Sequence, residues 1–356
     1  MLELQKYLQA NSTEDLERDY AIKSRRHGDY NNLVLFKYSQ IDSPMHERIC
    51  QESRGIILDE SDNWRIICRT FDKFFNIGEM HQAKVDYSKA NVWSKLDGSL
   101  VQLYFYDNRW HFATSGSPDA AGDVHGSGLS FNELIQQTWN SMGYQYPVDN
   151  NLCFAFELTS KYNRVVVRYE DESKLYLLGV RDLNTQKELD ISSFSRFYKL
   201  CPSVKFDNPT PEFLRSTLTK SGLEEEGYVV CDDNFNRVKI KSEDYVRLHG
   251  IKGEGWTLKK GLQLILAEQH DDFITYFPEY KEDIEMIQSK ILDIKSQVYE
   301  ILEKEKNNTD KRDFGIKYGS SNISCFLFQM KWQSKIFEDI LKQMSIKNLL
   351  ILLDLK

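Results

Sequence analysis

Four short motifs contain side chains that could do chemistry together. A lysine amine attacks phosphorus only as the free base, a form that burial and neighbouring cations favour. Two lysines that alternate along a strand share one face, so they could supply those cations and bind the attacked phosphate. One carboxylate could contact a ribose hydroxyl and another could hold Mg²⁺. In chain order the motifs are Lys95-Leu96-Asp97-Gly98, Phe156-Glu157, Glu226-Gly227-Tyr228-Val229 and Lys239-Ile240-Lys241.

Each motif alone also has a plainer interpretation. The runs 92–95 and 100–106 flank Asp97-Gly98, a pattern typical of a β-hairpin whose tip carries a solvated lysine. Glu157 could form an ion pair at a strand end, and Glu226 could belong to a solvated acidic run. Lys239 and Lys241 could lie on a solvated strand face. We therefore predict a hairpin at Lys95. Whether the lysine side chain is buried depends on whether the other motifs surround it.

The order of the predicted elements favours an α+β fold. Helical periodicity replaces strand alternation near residue 243 and is strongest over 280–306 and 323–355. Parallel β-α-β units and a phosphate-binding P-loop are absent from the sequence. We predict an antiparallel-sheet domain over 1–242 and an all-helical domain over 243–356. Within the first, strands are predicted at 32–38, 53–59, 64–70, 109–114, 152–158, 165–167, 175–180, 226–230 and 237–241, with helices at 131–139 and around 211–214.

Composition sets limits on partners and compartment. The 356 residues carry a net charge of −8, which argues against nonspecific coating of nucleic acid but allows a local basic site. No apolar run is long enough for a membrane span, and the N-terminus is typical of a short amphipathic helix, not a signal peptide. The six cysteines form no C-x-x-C pair, so we expect free thiols in a reducing cytoplasm. Because no apolar run could span a membrane, we expect no membrane partner.

In this order, the four motifs resemble those of the covalent nucleotidyltransferases, which include ligases and capping enzymes. Glu52-Ser53-Arg54-Gly55-Ile56 and Lys73-Phe74-Phe75-Asn76 narrow the resemblance to the bacteriophage RNA ligase 1 family. The segments 163–166 and 242–249 also resemble that family. The resemblance covers about residues 30 to 250 and is weaker over the helical C-terminus. It implies a nucleotidyltransferase (adenylyltransferase) domain with ATP-dependent RNA ligase activity.

The same resemblance implies a role for each residue of the central motifs. Lys95 would become lysyl-AMP after attacking the α-phosphate of ATP. Glu157 would contact the ribose, and Glu226 would organise the metal, Mg²⁺ or Mn²⁺, and the nucleotide. Lys239 and Lys241 would hold the α-phosphate.

Other positions are implied more peripherally. Arg54 and Lys73 would bind the β- and γ-phosphates, although each could form an ordinary ion pair. Tyr38 would lie near the adenine, or equally could pack in the core. Asp271-Asp272 could bind a divalent cation, or could be a solvated helix end. Ser115-Gly116-Ser117 departs from the pattern, because relatives can carry a lysine before this Gly-Ser.

The resemblance implies that the partners are ATP and RNA with 5′-phosphate and 3′-hydroxyl ends. The helical domain of that family favours broken tRNA anticodon loops, so we expect a monomer that repairs tRNA in the host cytoplasm. One alternative is a DNA ligase or capping guanylyltransferase, which usually follow the last lysine motif with a β-rich OB-fold, not helices. Another is a non-catalytic RNA-end-binding protein, which the presence of all five central side chains disfavours.

Overall fold

The chain divides into two compact units, Met1–Tyr245 and Val246–Lys356. A computed structural model describes residues 1–40, 42–124, 127–162, 172–206, 209–218, 226–242 and 256–355, without the side chains of 272, 275 and 276. The strand predicted at 165–167 and the segments 163–166 and 243–249 lie outside these residues. Each unit is described by itself below.

The first unit is built mainly from strands, as the sequence predicts. Its described helices are α1 (Glu3–Leu8), α2 (Thr13–Tyr20), α3 (Arg48–Glu52), α4 (Phe131–Ser141) and α5 (Pro211–Leu218). Its described strands are β1 (Ile22–Arg26), β2 (Leu33–Tyr38), β3 (Arg54–Asp59), β4 (Arg65–Cys68), β5 (Asn91–Lys95), β6 (Ser99–Tyr106), β7 (Arg109–Thr114), β8 (Asp123–Val124), β9 (Leu129–Ser130), β10 (Leu152–Thr159), β11 (Lys174–Asp182), β12 (Glu188–Leu189), β13 (Ser203–Val204), β14 (Gly227–Cys231) and β15 (Arg237–Lys241).

These strands form antiparallel sheets, which confirms the predicted fold class. The orders are β1-β2-β3-β4, β12-β11-β10-β6-β7 and β13-β5-β14-β15, with β8 and β9 as a small separate pair. Every pairing between the named strands is antiparallel. The period-2 alternation thus predicts the element type correctly, and the absence of β-α-β units predicts the strand direction correctly.

The predicted hairpin at Lys95 is wrong. β5 pairs with β13 and β14, whereas β6 pairs with β7 and β10, so the two runs belong to different sheets. The reason lies at Gly98, where a Cβ would be 2.3 Å from the carbonyl oxygen of Leu158. Asp97-Gly98 is thus a close crossing past β10. An Asp-Gly pair predicts a change of direction, but long-range packing decides which strand becomes the partner.

The largest core lies around Trp139 of α4 and positions β10. Phe154 and Phe156 of β10 and Leu103 of β6 are fully buried in this core. Because side chains alternate along a strand, the buried Phe156 directs its neighbour Glu157 to the opposite face. α4 begins at a capping box between Ser130 and Glu133, which fixes its start one residue after the cap.

The described part of the second unit, residues 256–355, contains helices and no strand. The pattern over 280–306 is one helix, Lys281–Lys304, whose buried face includes Ile284, Ile287 and Ile291. The pattern over 323–355 forms three helices separated by short turns. The helices are Leu258–Leu266, His270–Tyr276, Lys281–Lys304, Lys311–Tyr318, Ser324–Gln333, Phe337–Gln343 and Ile346–Leu352. Among the described helices, none combines the length and apolarity needed to cross a membrane.

Candidate active site

The sheet β13-β5-β14-β15 aligns three of the predicted site motifs. Gly227 of β14 lies opposite Lys95 of β5 on one side and opposite Lys241 of β15 on the other. A Cβ at Gly227, whose φ is +155°, would be only 2.0 Å from the carbonyl oxygen of Ile240. Glycine is therefore required for this close approach, and the residue before it, Glu226, is held between the two lysines.

Lys95 and Lys241 converge on one carboxylate oxygen. The Lys95 ammonium donates to Glu226 Oε1 at 2.5 Å, and Lys241 Nζ lies 3.1 Å from the same oxygen. The exposed fractions of the side chains are 24% for Lys95, 8% for Lys241 and 4% for Glu226. Lys95 is therefore not a solvated hairpin lysine, and Glu226 is not part of a solvated acidic run.

The charges of this trio favour an additional anion. Burial alone would raise the pKa of Glu226, but the ammonium groups of Lys95 and Lys241 outweigh it and hold that pKa below its ordinary value. Two cations then share one carboxylate, which leaves a net positive charge in a largely buried site. A phosphate group would neutralise that charge.

Lys239 lies two residues before Lys241 on β15, and the backbone of a second motif runs beside it. Its amide donates to the carbonyl of Phe75 at 3.1 Å, and its carbonyl accepts from the amide of Ile77 at 3.0 Å. Alternation places Lys239 and Lys241 on the same face of β15, while Val238 and Ile240 are buried on the other. The Lys73 motif is thereby attached along the edge of the sheet that carries Lys241.

Glu157 lies on β10 beside the crossing that follows Lys95. A Cβ at Gly98 would be 3.1 Å from Glu157 Cγ and from Oε1. Burial raises the pKa of Glu157 to about 8, opposed by the charge of Lys95 and reinforced by that of Glu226. The carboxyl group is then largely protonated at neutral pH, a form that can both donate and accept a hydrogen bond with a hydroxyl group.

We expect the pH dependence of stability to report this proton. Between the ordinary value of 4.5 and about 8, the folded state binds a proton that the unfolded state releases, so stability falls as pH rises through this window. Glu157→Gln should remove that contribution, which we place on the order of 1–4 kcal/mol between pH 5 and 8. Urea denaturation at several pH values measures it, with the exposed Glu212→Gln as control. Parallel curves for wild type and Glu157→Gln would contradict this assignment.

Arg54 has a buried nitrogen without a hydrogen-bond partner among the described residues. The nitrogen is Nη1, and the guanidinium lies 4.9 Å from the ring centroid of Phe74. The next residue, Gly55, has φ +81°, and a Cβ there would be 3.0 Å from Ser115 Cα. Buried unsatisfied donors are rare, so Arg54 Nη1 is a candidate contact for an anionic ligand.

Lys73 and Tyr38 lie together. Lys73 Nζ is 5.2 Å from the ring centroid of Tyr38 and 5.4 Å from that of Phe75. Tyr38 is 6% exposed and belongs to the core that covers one face of β1–β4. Its packing follows one of the two interpretations offered by the sequence, and its contact with adenine stays a prediction.

The predicted acidic pair lies in the second unit and is described only in part. Asp271 belongs to the helix His270–Tyr276, and its Oδ1 lies 3.5 Å from His270 Nε2, while the Asp272 side chain is outside the described set. Among the described residues, no group of three or more His, Cys, Asp or Glu side chains could hold a metal ion. Mg²⁺ commonly uses one or two carboxylates plus substrate phosphates, and the single Glu226 carboxylate fits that mode.

Sequence reasoning missed two residues that support the site. Gln102 is fully buried; its Nε2 donates to the Gly55 carbonyl at 2.8 Å, and its Oε1 accepts from Thr70 Oγ1 at 2.8 Å. It thereby fixes the backbone next to Arg54. The available signal was a lone polar residue in the apolar strand β6. Arg237 shares the face of Lys239 on β15, and the same alternation that grouped the lysines could have included it.

All the central residues lie within a segment that matches one family model. The model, described as RNA ligase and belonging to the phage RNA ligase 1 type, matches residues 52–245, just over half of the chain. The chain belongs to the RNA ligase family. This membership confirms the resemblance seen in the motifs of the sequence.

Two relatives of this RNA ligase family chain come from viruses. A protein named as a bifunctional polynucleotide kinase/RNA ligase of Autographa californica nuclear polyhedrosis virus is 29% identical over 304 residues, covering 80% of this chain and 43% of that protein. A protein named RNA ligase of Rhodothermus phage RM378 is 27% identical over 352 residues, covering 79% of this chain and 77% of that protein. The chain therefore spans about two-fifths of the first relative and about three quarters of the second.

Among solved structures, an archaeal ATP-dependent RNA ligase is similar over 77% of this RNA ligase family chain and 74% of its own. The identity is 10% and the TM-score is 0.47.

Proposed function

We propose that this protein is an ATP-dependent RNA ligase that joins 5′-phosphate and 3′-hydroxyl ends through a lysyl-AMP intermediate on Lys95. One observation carries the proposal: Lys95 and Lys241 meet at the buried Glu226 inside the segment that matches the RNA ligase family. A nucleophilic lysine beside a second cation and a carboxylate is the arrangement that attack on a nucleotide phosphate requires.

In the first step, Lys95 Nζ forms a bond to the α-phosphorus of ATP while the bond to pyrophosphate breaks. Attack requires the free amine, so Nζ releases its proton to solvent and its ion pair with Glu226 opens before the bond forms. Lys239 and Lys241 then bind the α-phosphate oxygens. Much of the rate comes from this positioning and from neutralisation of the phosphate charge.

The remaining residues bind the parts of ATP that do not react with Lys95. Lys73 and Arg54, whose Nη1 has no partner in the described part of the chain, hold the β- and γ-phosphates. Glu157 contacts the ribose hydroxyl, and Tyr38 lies near the adenine. Mg²⁺ or Mn²⁺ would be held by Glu226 together with phosphate oxygens and would supply further charge neutralisation. Asp271 and Asp272 remain a second proposed metal-binding pair.

Two further displacements complete the reaction. The RNA 5′-phosphate attacks the AMP phosphorus and releases Lys95, which gives an RNA 5′-end joined to AMP through a pyrophosphate bond. The RNA 3′-hydroxyl, losing its proton, then attacks the 5′-phosphorus and AMP leaves. The test is incubation with α-labelled ATP and Mg²⁺, followed by a chase with 5′-phosphorylated RNA. Label that never enters the protein would refute the proposal.

The nature of the second unit favours an RNA ligase over the alternatives within the enzyme class. Its described residues, 256–355, contain no strand, whereas DNA ligases and capping enzymes usually carry a β-rich OB-fold after the last lysine motif. GTP in place of ATP, and nicked DNA in place of RNA, provide the matched comparison in the same assay.

We propose further that the second unit directs the enzyme to broken tRNA anticodon loops, and that the protein acts as a monomer in the host cytoplasm. The support is the resemblance to a family whose helical domain has this preference. Truncation after residue 242 should lower repair of nicked tRNA about tenfold more than joining of unstructured RNA, because a second contact with the substrate is lost. Unchanged labelling of Lys95 by ATP is the control. Equal loss on both substrates would contradict the assignment.

A further inference from the structure

A polar cavity of about 830 Å³ opens in the first unit beside Lys73. Its lining carries six Lys or Arg side chains against three carboxylates, although the chain as a whole has a net charge of −8. It also contains aromatic rings, among them Phe75 and Phe235. A concentration of cations with aromatic rings is the composition that binds a nucleic acid strand.

The floor of the cavity is fixed by ion pairs. Arg69 pairs with Asp72 at 2.8 Å, and Glu188 accepts from both Arg181, at 2.9 Å, and Arg237, at 2.7 Å. These five side chains are largely buried. Three arginines against two carboxylates leave the floor with a net positive charge.

The rim adds cations that face solvent. The Arg48 side chain is 52% exposed and shares Asp72 with Arg69, and Lys187 is exposed. Lys73 lines the same cavity. Cations on the rim of a positive floor raise the local concentration of phosphate groups, an effect that weakens with salt.

Phe235 is held at the cavity in a backbone conformation that aromatic residues rarely adopt. Its φ is +60°, in the turn between β14 and β15. Asp232 locks this turn, because its Oδ1 accepts from the amides of Asn234 at 2.9 Å and Asn236 at 3.0 Å. Glycine would adopt this backbone conformation with less strain, so the presence of a phenylalanine needs an explanation. The Phe235 ring is partly exposed at the cavity, where it can stack on a base.

The strand β15 links the cavity to the Lys95 site. Arg237, Lys239 and Lys241 alternate along β15 and share one face, and Arg237 lines the cavity while Lys241 contacts Glu226. A row of three cations therefore runs from the cavity to the carboxylate that binds Lys95. A chain of phosphates that follows this row would enter the cavity.

We propose that this cavity binds the single-stranded RNA segment that adjoins the reacting end. Its backbone phosphates contact Arg48 and Lys187, and an unpaired base stacks on Phe235. Stacking on a side chain requires an unstacked base, so the site selects single strands over duplex. The proposal rests on the proposed ligase function, because that function supplies the RNA.

The test uses the full chain with Phe235→Gly and Lys187→Ala, singly and together. Glycine adopts φ +60° without strain, so Phe235→Gly removes the ring without destabilising the turn. The matched controls are Phe197→Ala, at a residue 64% exposed and outside the cavity lining, and Lys205→Ala, also exposed and outside it. Anisotropy of a labelled 5′-phosphorylated oligoribonucleotide gives Kd without ATP, and labelling of Lys95 gives KM for ATP.

We expect the double variant to raise Kd for single-stranded RNA about tenfold or more and to leave KM for ATP within about twofold of wild type. Lys187→Ala should also reduce the slope of log Kd against log salt by about one. An unchanged Kd would overturn the proposal, and so would a rise confined to KM for ATP, which would assign the cavity to the triphosphate. Wild-type protein that shows this RNA-binding pattern but never accepts label from ATP would refute the ligase function and leave the cavity as an RNA site.

Discussion

Lys95→Ala is expected to abolish transfer of AMP from ATP to the protein while sparing measurable joining of pre-adenylylated RNA. The variant lacks the only amine that contacts Glu226 from β5, so lysyl-AMP cannot form. Pre-adenylylated RNA already contains the activated phosphate, and its sealing needs the phosphate-binding cations but not the nucleophile. The loss in labelling should be at least ~10³-fold.

The measurement is label retained on the protein after incubation with α-labelled ATP. Lys89→Ala is a matched control, since Lys89 is an exposed lysine shortly before β5. Label on Lys95→Ala at the wild-type level would overturn the nucleophile assignment. Loss of sealing on pre-adenylylated RNA as well would instead indicate that Lys95 holds the site together.

Gly227→Ala is expected to damage both stability and the site. A Cβ would lie 2.0 Å from the Ile240 carbonyl oxygen and 2.8 Å from Lys241 Cα, both backbone atoms that cannot move aside independently. β14 and β15 would have to separate locally, which moves Glu226 away from the two lysines. We expect a loss of about 2–4 kcal/mol in the free energy of unfolding.

Labelling by ATP should fall together with stability in this variant, because the same backbone shift causes both effects. Chemical denaturation and the labelling assay measure them in parallel. Gly122→Ala is the control, because among the described residues a Cβ there would meet Phe131 alone, at an ordinary distance of 3.9 Å. Wild-type stability for Gly227→Ala would show that the tight approach between β14 and β15 is not required.

Motif order and strand alternation made much of the fold predictable. The pairing of β14 with β15, the position of Glu157 within the last three residues of β10 and the helix α4 all follow from local patterns. The six cysteines are free thiols in the structure, and five of them are buried. The change from strands to helices was equally visible, because the period of the apolar residues changes from two to about 3.6.

The partners of the strand that carries Lys95 could not be predicted from local signals. The turn residues Asp97-Gly98 indicate only that the chain changes direction, while the pairing of β5 with β14 depends on residues more than 130 positions later. The contact of Lys95 with Glu226 is likewise a product of that pairing. Gln102 was missed for a related reason, since its hydrogen-bond partners come from other segments.

The crossing at Asp97-Gly98 has a mechanical consequence. Lys95 is the last residue of its strand, and the next strand, β6, belongs to another sheet, so only the three residues 96–98 separate the nucleophile from that second sheet. We therefore expect a displacement of one sheet relative to the other to shift the Lys95 side chain. The rate of lysine labelling should therefore depend on the packing of the whole unit. A core substitution around Trp139 that allows the sheets to shift should slow the attack by Lys95 before it weakens nucleotide binding.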